Sequence, residues 1–296
     1  MRFSLGQWPT PLEPMPRLAA ALGLGADDLW LKRDDLSGLG GGGNKVRKLE
    51  HLIGEALERG ADTVITSGAA QSNHARLTAA AAARAGLSAV LVLRGHEPEH
   101  STGNLILDEL FGAEIVWSGD GDLNERVAAE AEQRGPRAMV IPLGGSNTIG
   151  AQGYVSAGEE LLQQLPDLDL VVTAAGSGGT MAGLVQALGA QRVLGIDVGA
   201  LPDLETAVQS MLPEPATLQI RGDQIGSGYP SFTPAAREAL SLAARTEGVV
   251  LDPVYTGRAA AGLIAAVTDG SIQPGQRVVL LHSGGLPGLF GHPEIS

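Results

Sequence analysis

The chain has 296 residues, 44% of them hydrophobic, with a net charge of −13 and no cysteine. That length fits one large domain or two ordinary ones. Without cysteine there are no disulfides, thiolate metal sites or cysteine nucleophiles, and a field of negative sign repels nucleic acid and anionic membranes.

The N-terminus, "MRFSLGQWPTPLEPMPRL", lacks the continuous apolar core of a signal peptide, and no apolar run is long enough to span a bilayer. A cytoplasmic protein with no membrane or nucleic-acid partner is expected. No metal site is expected either. Aromatic residues are only 3%, too few for a base-stacking platform.

Apolar runs and helical patterns then alternate along the chain. "LWLKR" reads as a strand. Val46, Leu49, Ile53 and Leu57 recur at helical spacing and stop at Gly60. "DTVITSG" is a strand, followed by an Ala-rich helix to Gly86. Next come strand "SAVLVLRG", helix "GNLILDELFG", strand "EIVW", helix "LNERVAAEAEQRG" and strand "AMVIPLG". Helix "GYVSAGEELLQQL", strand "LDLVVTAAG", helix "TMAGLVQALG", strand "RVLGIDVG" and helix "DLETAVQSML" continue the pattern. After an irregular stretch the chain closes with helices "TPAAREALSLAARTEG" and "RAAAGLIAAVTDG" and strand "RVVLLHSGG". This alternation predicts an α/β fold with mostly parallel sheets flanked by helices. No Pro/Gly-rich linker divides the chain, so two domains would share interleaved sequence.

Three predicted strands end in unusual loops: "TSGAAQSN" at 66–73, "AAGSGGT" at 174–180 and "HSGGLPG" at 282–288. Ligands of open parallel sheets gather at the carboxyl ends of strands. Glycine lets backbone N–H groups approach an anion, and the following helix adds its positive dipole end. Each loop alone could be a tight turn; three of this composition favour a ligand site.

The stretch "GLGGGGNKVRKLE" from Gly38 to Glu50 sets cations beside glycines. It is not a P-loop: Asn44 stands where that motif has Gly, and Val46 replaces the Mg²⁺-binding hydroxyl. With Asn44 as N-cap, Lys45 falls at the first helical position, where the dipole disfavours a cation. That field should lower the amine's pKa and sharpen it as a nucleophile toward an aldehyde. A solvated basic face suits Arg47 better than Lys45 or Lys48. In "SGAAQSNHAR", Ser72 and Asn73 are placed to cap the next helix and leave N–H groups for a carboxylate; His74 reads as structural. "GSGGTMAG" matches a dinucleotide fingerprint only in part, since the third glycine falls on Met181. A nicotinamide-dependent oxidoreductase is therefore the alternative of another class, and a non-catalytic binding protein a third, although such a protein needs no lysine at the site. A Schiff-base lysine, a phosphate-holding glycine loop and a carboxylate site together suit pyridoxal 5′-phosphate (PLP).

At these residues the chain resembles the tryptophan-synthase-β-like, fold type II PLP enzymes, and within them the 1-aminocyclopropane-1-carboxylate (ACC) deaminase and D-cysteine desulfhydrase family. The stretches are "LKRDDLSG", "GGNKVRKLE", "SGAAQSNHAR", "AAGSGGTMAGL", "DPVYTGRAAAGL" and "LHSGG". The resemblance implies a PLP-binding domain from residues 1–47 and 154–296, a smaller inserted α/β domain at 48–153, and a homodimer. It implies Lys45 as the Schiff-base lysine, Asn73 on the PLP phenolic oxygen, Gly176, Ser177, Gly178, Gly179 and Thr180 as the phosphate loop, and Lys48 assisting the phosphate. Ser72 and Asn73 would meet the substrate, Ser72 at its carboxylate, and Tyr229 and Tyr255 match two active-site tyrosines. Thr256 and Ser283 stand where ACC deaminases have Glu and Leu, and where desulfhydrase-like members have hydroxyls facing the pyridine nitrogen. The implied reaction is α,β-elimination on a small amino acid, D-cysteine giving pyruvate, ammonia and hydrogen sulfide. ACC deamination or another β-elimination is the alternative within the family.

Overall fold

The computed structural model describes residues 1–295. Its strands are β1 (Leu12–Pro14), β2 (Leu29–Lys32), β3 (Thr63–Gly68), β4 (Ser88–Leu93), β5 (Glu114–Trp117), β6 (Ala138–Val140), β7 (Leu170–Ala175), β8 (Val193–Asp197), β9 (Gln219–Arg221) and β10 (Val278–Leu281). The helices are α1 (Pro16–Ala21), α2 (Lys45–Glu58), α3 (Asn73–Ala85), α4 (Asn104–Leu110), α5 (Leu123–Arg134), α6 (Thr148–Gln164), α7 (Gly179–Leu188), α8 (Leu204–Gln209), α9 (Pro234–Glu247), α10 (Thr256–Thr268) and α11 (Leu286–Phe290). Among the described residues no helix is long and apolar enough to cross a membrane.

Two sheets form. A six-stranded sheet has the order β1-β2-β10-β7-β8-β9, parallel except for β1, and draws its strands from both ends of the chain. A four-stranded parallel sheet, β5-β4-β3-β6, is built from the middle. The expected domain limits, 47/48 and 153/154, fall inside α2 and α6. The chain therefore passes between the sheets along two helices that pack on each other, not through linkers.

The elements read from sequence are those buried on both faces. In β10, Val278, Val279, Leu280 and Leu281 are each at most 1% exposed. A parallel strand covered by helices on both sides must be apolar throughout, and each such side chain contributes about 1.5–3 kcal/mol by leaving water. Four elements are absent from the sequence reading: β1, β9, α1 and α11. They have three to six residues each, too few for a period to register.

Arg47 departs from expectation. It is not on a solvated face but 2% exposed, with Nε and Nη2 each donating at 2.9 Å to the two oxygens of Asp34. Its Nη1 reaches Glu160 on α6 at 3.0 Å, and the guanidinium lies 4.0 Å from the Trp8 ring centroid. Tyr154, Thr10 and Lys32 complete this network. Burial of the charge is tolerated because a planar fork can meet two carboxylates at once.

Candidate active site

The glycine run turns back on itself before α2. Gly42 has φ +74°, and a Cβ there would lie 1.8 Å from the carbonyl oxygen of Asp35, so no other residue fits. Arg76 of α3 holds the run by donating to the carbonyls of Gly40 and Gly42. The Asn44 N–H donates to the Ser283 carbonyl at 3.0 Å, which ties the start of α2 to the end of β10.

Asn44 occupies the expected N-cap position of α2, with Lys45 the first helical residue, but its side chain does not cap. Its backbone is itself helical (φ −56°, ψ −25°). Its Nδ2 donates instead to Thr180 Oγ1 at 3.0 Å, and its Oδ1 accepts from Lys45 Nζ at 3.2 Å. The side chain is spent on joining α2 to α7.

The Lys45 amine is lowered to about 8 from its ordinary value, chiefly by burial; Asp252 pulls the other way and Arg76 adds to the lowering. The direction agrees with the sequence reading, but the main cause is loss of water, not the helix dipole. One turn on, Lys48 is buried, donating to Ser146 Oγ at 3.0 Å and the Gly144 carbonyl at 3.2 Å. Burial first, and then the charge of Lys45, push its amine well below the ordinary range. No carboxylate pairs with Lys48 among the described residues.

The loop between β7 and α7 lies beside this lysine. Gly178 is left-handed (φ +83°), and the Gly179 N–H donates to Ser146 Oγ at 3.2 Å. Ser177 Oγ meets Ser146 Oγ at 2.8 Å. A Cβ on Gly179 would stand 2.6 Å from Ser146 Oγ and 2.9 Å from Lys48 Nζ. The result is a cradle of helix N-terminus, hydroxyls and an uncompensated cation, and it fits a phosphate group.

Across the cavity, Ser72 is the N-cap of α3, its Oγ accepting from the Ala75 N–H at 3.1 Å. Asn73 is the first helical residue. Its Oδ1 accepts from Asn104 at 3.1 Å, which leaves the amide nitrogen free to donate. His74, buried, bonds Thr66 through Nε2 at 2.9 Å and is held neutral by burial, consistent with a structural role.

The tyrosines come from separate segments. Tyr255 precedes α10; Tyr229 sits in an irregular loop. Their hydroxyls are hydrogen-bonded to each other and the rings meet edge-on, centroids 5.9 Å apart. Burial raises both above the usual phenol value, so both are protonated at neutral pH. Arg258, one turn along α10 and fully buried, holds the loop by donating to the carbonyls of Gly228, Tyr229 and Ser231 at 2.9, 3.0 and 2.6 Å.

These side chains line one cavity of about 460 Å³: Lys45, Lys48, Ser72, Asn73, Gly176, Ser177, Gly178, Thr180, Tyr229, Tyr255 and Ser283 all face it. Gly179 backs the cradle from just outside. Thr256 does not line the cavity. Its hydroxyl donates to Asp252 at 2.7 Å and accepts from the Asp252 N–H at 2.7 Å, because Asp252 caps α10 four residues earlier and captures it.

A scan against protein families matches residues 3–284 to the pyridoxal-phosphate dependent enzymes. The chain belongs to that family. It is 40% identical to a putative ACC deaminase of Pyrococcus abyssi, covering 99% of this chain and 94% of that protein. It is 39% identical to a D-cysteine desulfhydrase of Klebsiella pneumoniae, covering 99% and 97%. Among solved structures, an ACC deaminase homologue superposes with TM-score 0.89 at 36% identity, covering 99% of this chain and 94% of that one. Threonine deaminase isoform 2 from Solanum lycopersicum, at TM-score 0.70 and 19% identity, shares the fold. This is a PLP-dependent enzyme of fold type II, and the nicotinamide alternative falls away.

Sequence reasoning missed Ser146, Arg258, Asp252 and Arg94, which also lines the cavity. Only two signals were within reach. Arg94 is a cation that ends an apolar strand. The chain also has just three lysines, Lys32, Lys45 and Lys48, against 17 arginines, and two of the three are here.

Gly179→Ala tests the cradle. Alanine suits a helix better than glycine, so folding should hold, while PLP affinity should fall at least about tenfold as the methyl displaces Ser146 and Lys48. Fluorescence titration of apoprotein with PLP measures it; unchanged affinity would put the phosphate elsewhere.

Proposed function

We propose that this enzyme is a lyase catalysing α,β-elimination on a small amino acid, with D-cysteine and water giving pyruvate, ammonia and hydrogen sulfide. The observation that carries this reading is that, among the described residues, no Asp or Glu lines the cavity. PLP supplies an aldehyde for the substrate amine and a ring that draws electrons from Cα. Nothing acidic stands in the cavity to hold the ring nitrogen protonated, and Ser283 offers only a hydroxyl. Elimination tolerates a weaker electron sink, because the leaving thiolate carries the electrons away. Opening a cyclopropane ring has no such leaving group, which weighs against the ACC deaminase alternative that the names of several relatives raise.

Lys45 is the residue that holds the cofactor and, once released, takes the α-proton on Nζ. Its lowered amine leaves a useful neutral fraction at neutral pH. The tyrosines are too strongly protonated to serve as the resting base, so they act as O–H donors. The cradle, with Lys48 and the loop from Gly176 to Thr180, takes the phosphate. Asn73 meets the cofactor's phenolic oxygen, and Ser72 with the N-terminal N–H groups of α3 takes the substrate carboxylate. The family resemblance also supports a homodimer, with residues 1–47 and 154–296 as the PLP-binding domain and 48–153 as the smaller one.

The test is a panel of D- and L-cysteine, D-serine and ACC scored for pyruvate. D-cysteine should release sulfide with pyruvate, and ACC should react at least about tenfold more slowly in kcat/KM. Efficient ACC deamination would overturn the substrate assignment and leave PLP dependence untouched.

A further inference from the structure

The chain carries 33 acidic residues against 20 basic ones, yet the cavity reverses that sign. Among the described residues three basic side chains line it, Lys45, Lys48 and Arg94, and no carboxylate does. Lys45 is committed to the aldehyde and Lys48 to the phosphate. Arg94 is left over.

Its place is set by the fold. Arg94 directly follows β4, and its backbone N–H donates to the Gly68 carbonyl at 2.9 Å. Gly68 ends the neighbouring strand β3, four residues before the Ser72 cap. Arg94 therefore stands at the carboxyl ends of two parallel strands, beside the start of α3. The residue is exposed and lines the cavity. On α5 of this sheet, Arg126 and Arg134 both bind Glu130; Arg84 on α3 is as free as Arg94 but does not line the cavity. Arg94 has no hydrogen-bonded or ion-paired side-chain partner among the described residues, although Glu97, Glu99, Asp120 and Asp122 are near in sequence or on adjoining loops. A cation kept free of acids at the mouth of a ligand cavity is available to an anionic ligand.

We propose that Arg94 receives a second anionic group, carried on the substrate's side chain, and so selects amino acids with a negative group at Cβ. The inference rests on the elimination reading above. The substrate carboxylate is already met by α3, so the charge that Arg94 answers lies beyond Cα. A thiolate, sulfinate or sulfonate has the required chemistry. With a β-sulfonate, the Cβ–S bond breaks and sulfur leaves with both electrons as sulfite, while the α-proton goes to Lys45. One water is consumed, and pyruvate and ammonia are the other products.

The experiment uses holoenzyme, wild type, Arg94→Gln and Arg94→Lys. The substrates are cysteate, in both chiralities, and β-chloroalanine, whose leaving group is neutral while bound. Arg94→Gln should lower kcat/KM for cysteate roughly tenfold more than for β-chloroalanine, mainly through KM, because a charge-assisted hydrogen bond is lost at a partly solvated site. Arg94→Lys should recover part of the difference, and added salt should narrow it in wild type. Equal losses on both substrates would place Arg94 on the common carboxylate and overturn the proposal, as would no loss. If neither compound is turned over, binding decides the role of Arg94, and the elimination reading itself fails only if D-cysteine also gives no pyruvate. Cysteate should then still perturb the cofactor's visible absorption in wild type, at roughly tenfold lower concentration than in Arg94→Gln. No perturbation, or equal titrations, would overturn it.

Discussion

Lys45→Ala should lower turnover at least about 1,000-fold, since the variant loses both the amine that holds PLP and the base that takes the α-proton. Folding should survive. The Lys45 amine makes one hydrogen bond, to Asn44, and its burial is unfavourable enough to bring the amine down to about 8. Alanine removes that cost. The unfolded chain binds more protons than the folded one between about pH 8 and the ordinary lysine value near 10.5, so wild-type stability should rise across that window, and the variant should lose this rise. PLP uptake by wild-type apoprotein should follow the neutral amine, with a midpoint near pH 8. Borohydride treatment of holoenzyme should leave a single modified lysine, and peptide mapping has only Lys32, Lys45 and Lys48 to separate. Near-wild-type activity in Lys45→Ala, or label on Lys32 or Lys48, would remove the central assignment.

Asp34→Ala should destabilise the fold by about 3 kcal/mol, because it leaves Nε of the buried Arg47 unpaired and only Glu160 to meet the charge. It also removes the acceptor of the Tyr154 and Thr10 hydroxyls. Urea unfolding gives the number. Adding Arg47→Met should restore much of the loss, since an apolar side chain needs no partner; if it does not, packing and not charge is the cause. The carboxyls of Asp34 and Glu160 are both held below the usual range against the opposing effect of burial, Asp34 by Arg47 and Glu160 by Arg47 and Lys32. Their contribution is therefore present above the ordinary carboxylate pKa and is lost as pH falls through the folded values. Asp34→Ala should remove part of the wild type's acid sensitivity. Arg47 lies on α2 between Lys45 and Lys48, so the same variant should weaken PLP binding, linking the core network to the site.

Much of this enzyme is legible residue by residue. Strands such as β7 and β10 announce themselves because a strand buried on both faces must be apolar along its length. The glycine run before Lys45 is legible because only glycine tolerates φ +74° with a carbonyl 1.8 Å from its would-be Cβ. Loops at strand ends pointed to the ligand site, since parallel sheets gather ligands there. Together with the motif resemblance, these local features were enough to name PLP.

Tertiary structure decided what depends on partners far away in the chain. Ser146 reaches Lys48 across 98 positions, and Arg258 reaches the Tyr229 loop across 29. Periodicity records that a side chain is buried, not what it is buried against. Arg47 looked like a surface cation because its partners, Asp34 and Glu160, lie 13 and 113 positions away. Thr256 was expected at the pyridine nitrogen from the motif resemblance; Asp252, four residues back, engages its hydroxyl instead. The sequence by itself determined the alternation of the longer strands and helices and the cofactor chemistry. The fold alone decided which cations were paired away in the core and which were left facing the cavity, because charge pairing is settled by distance in space.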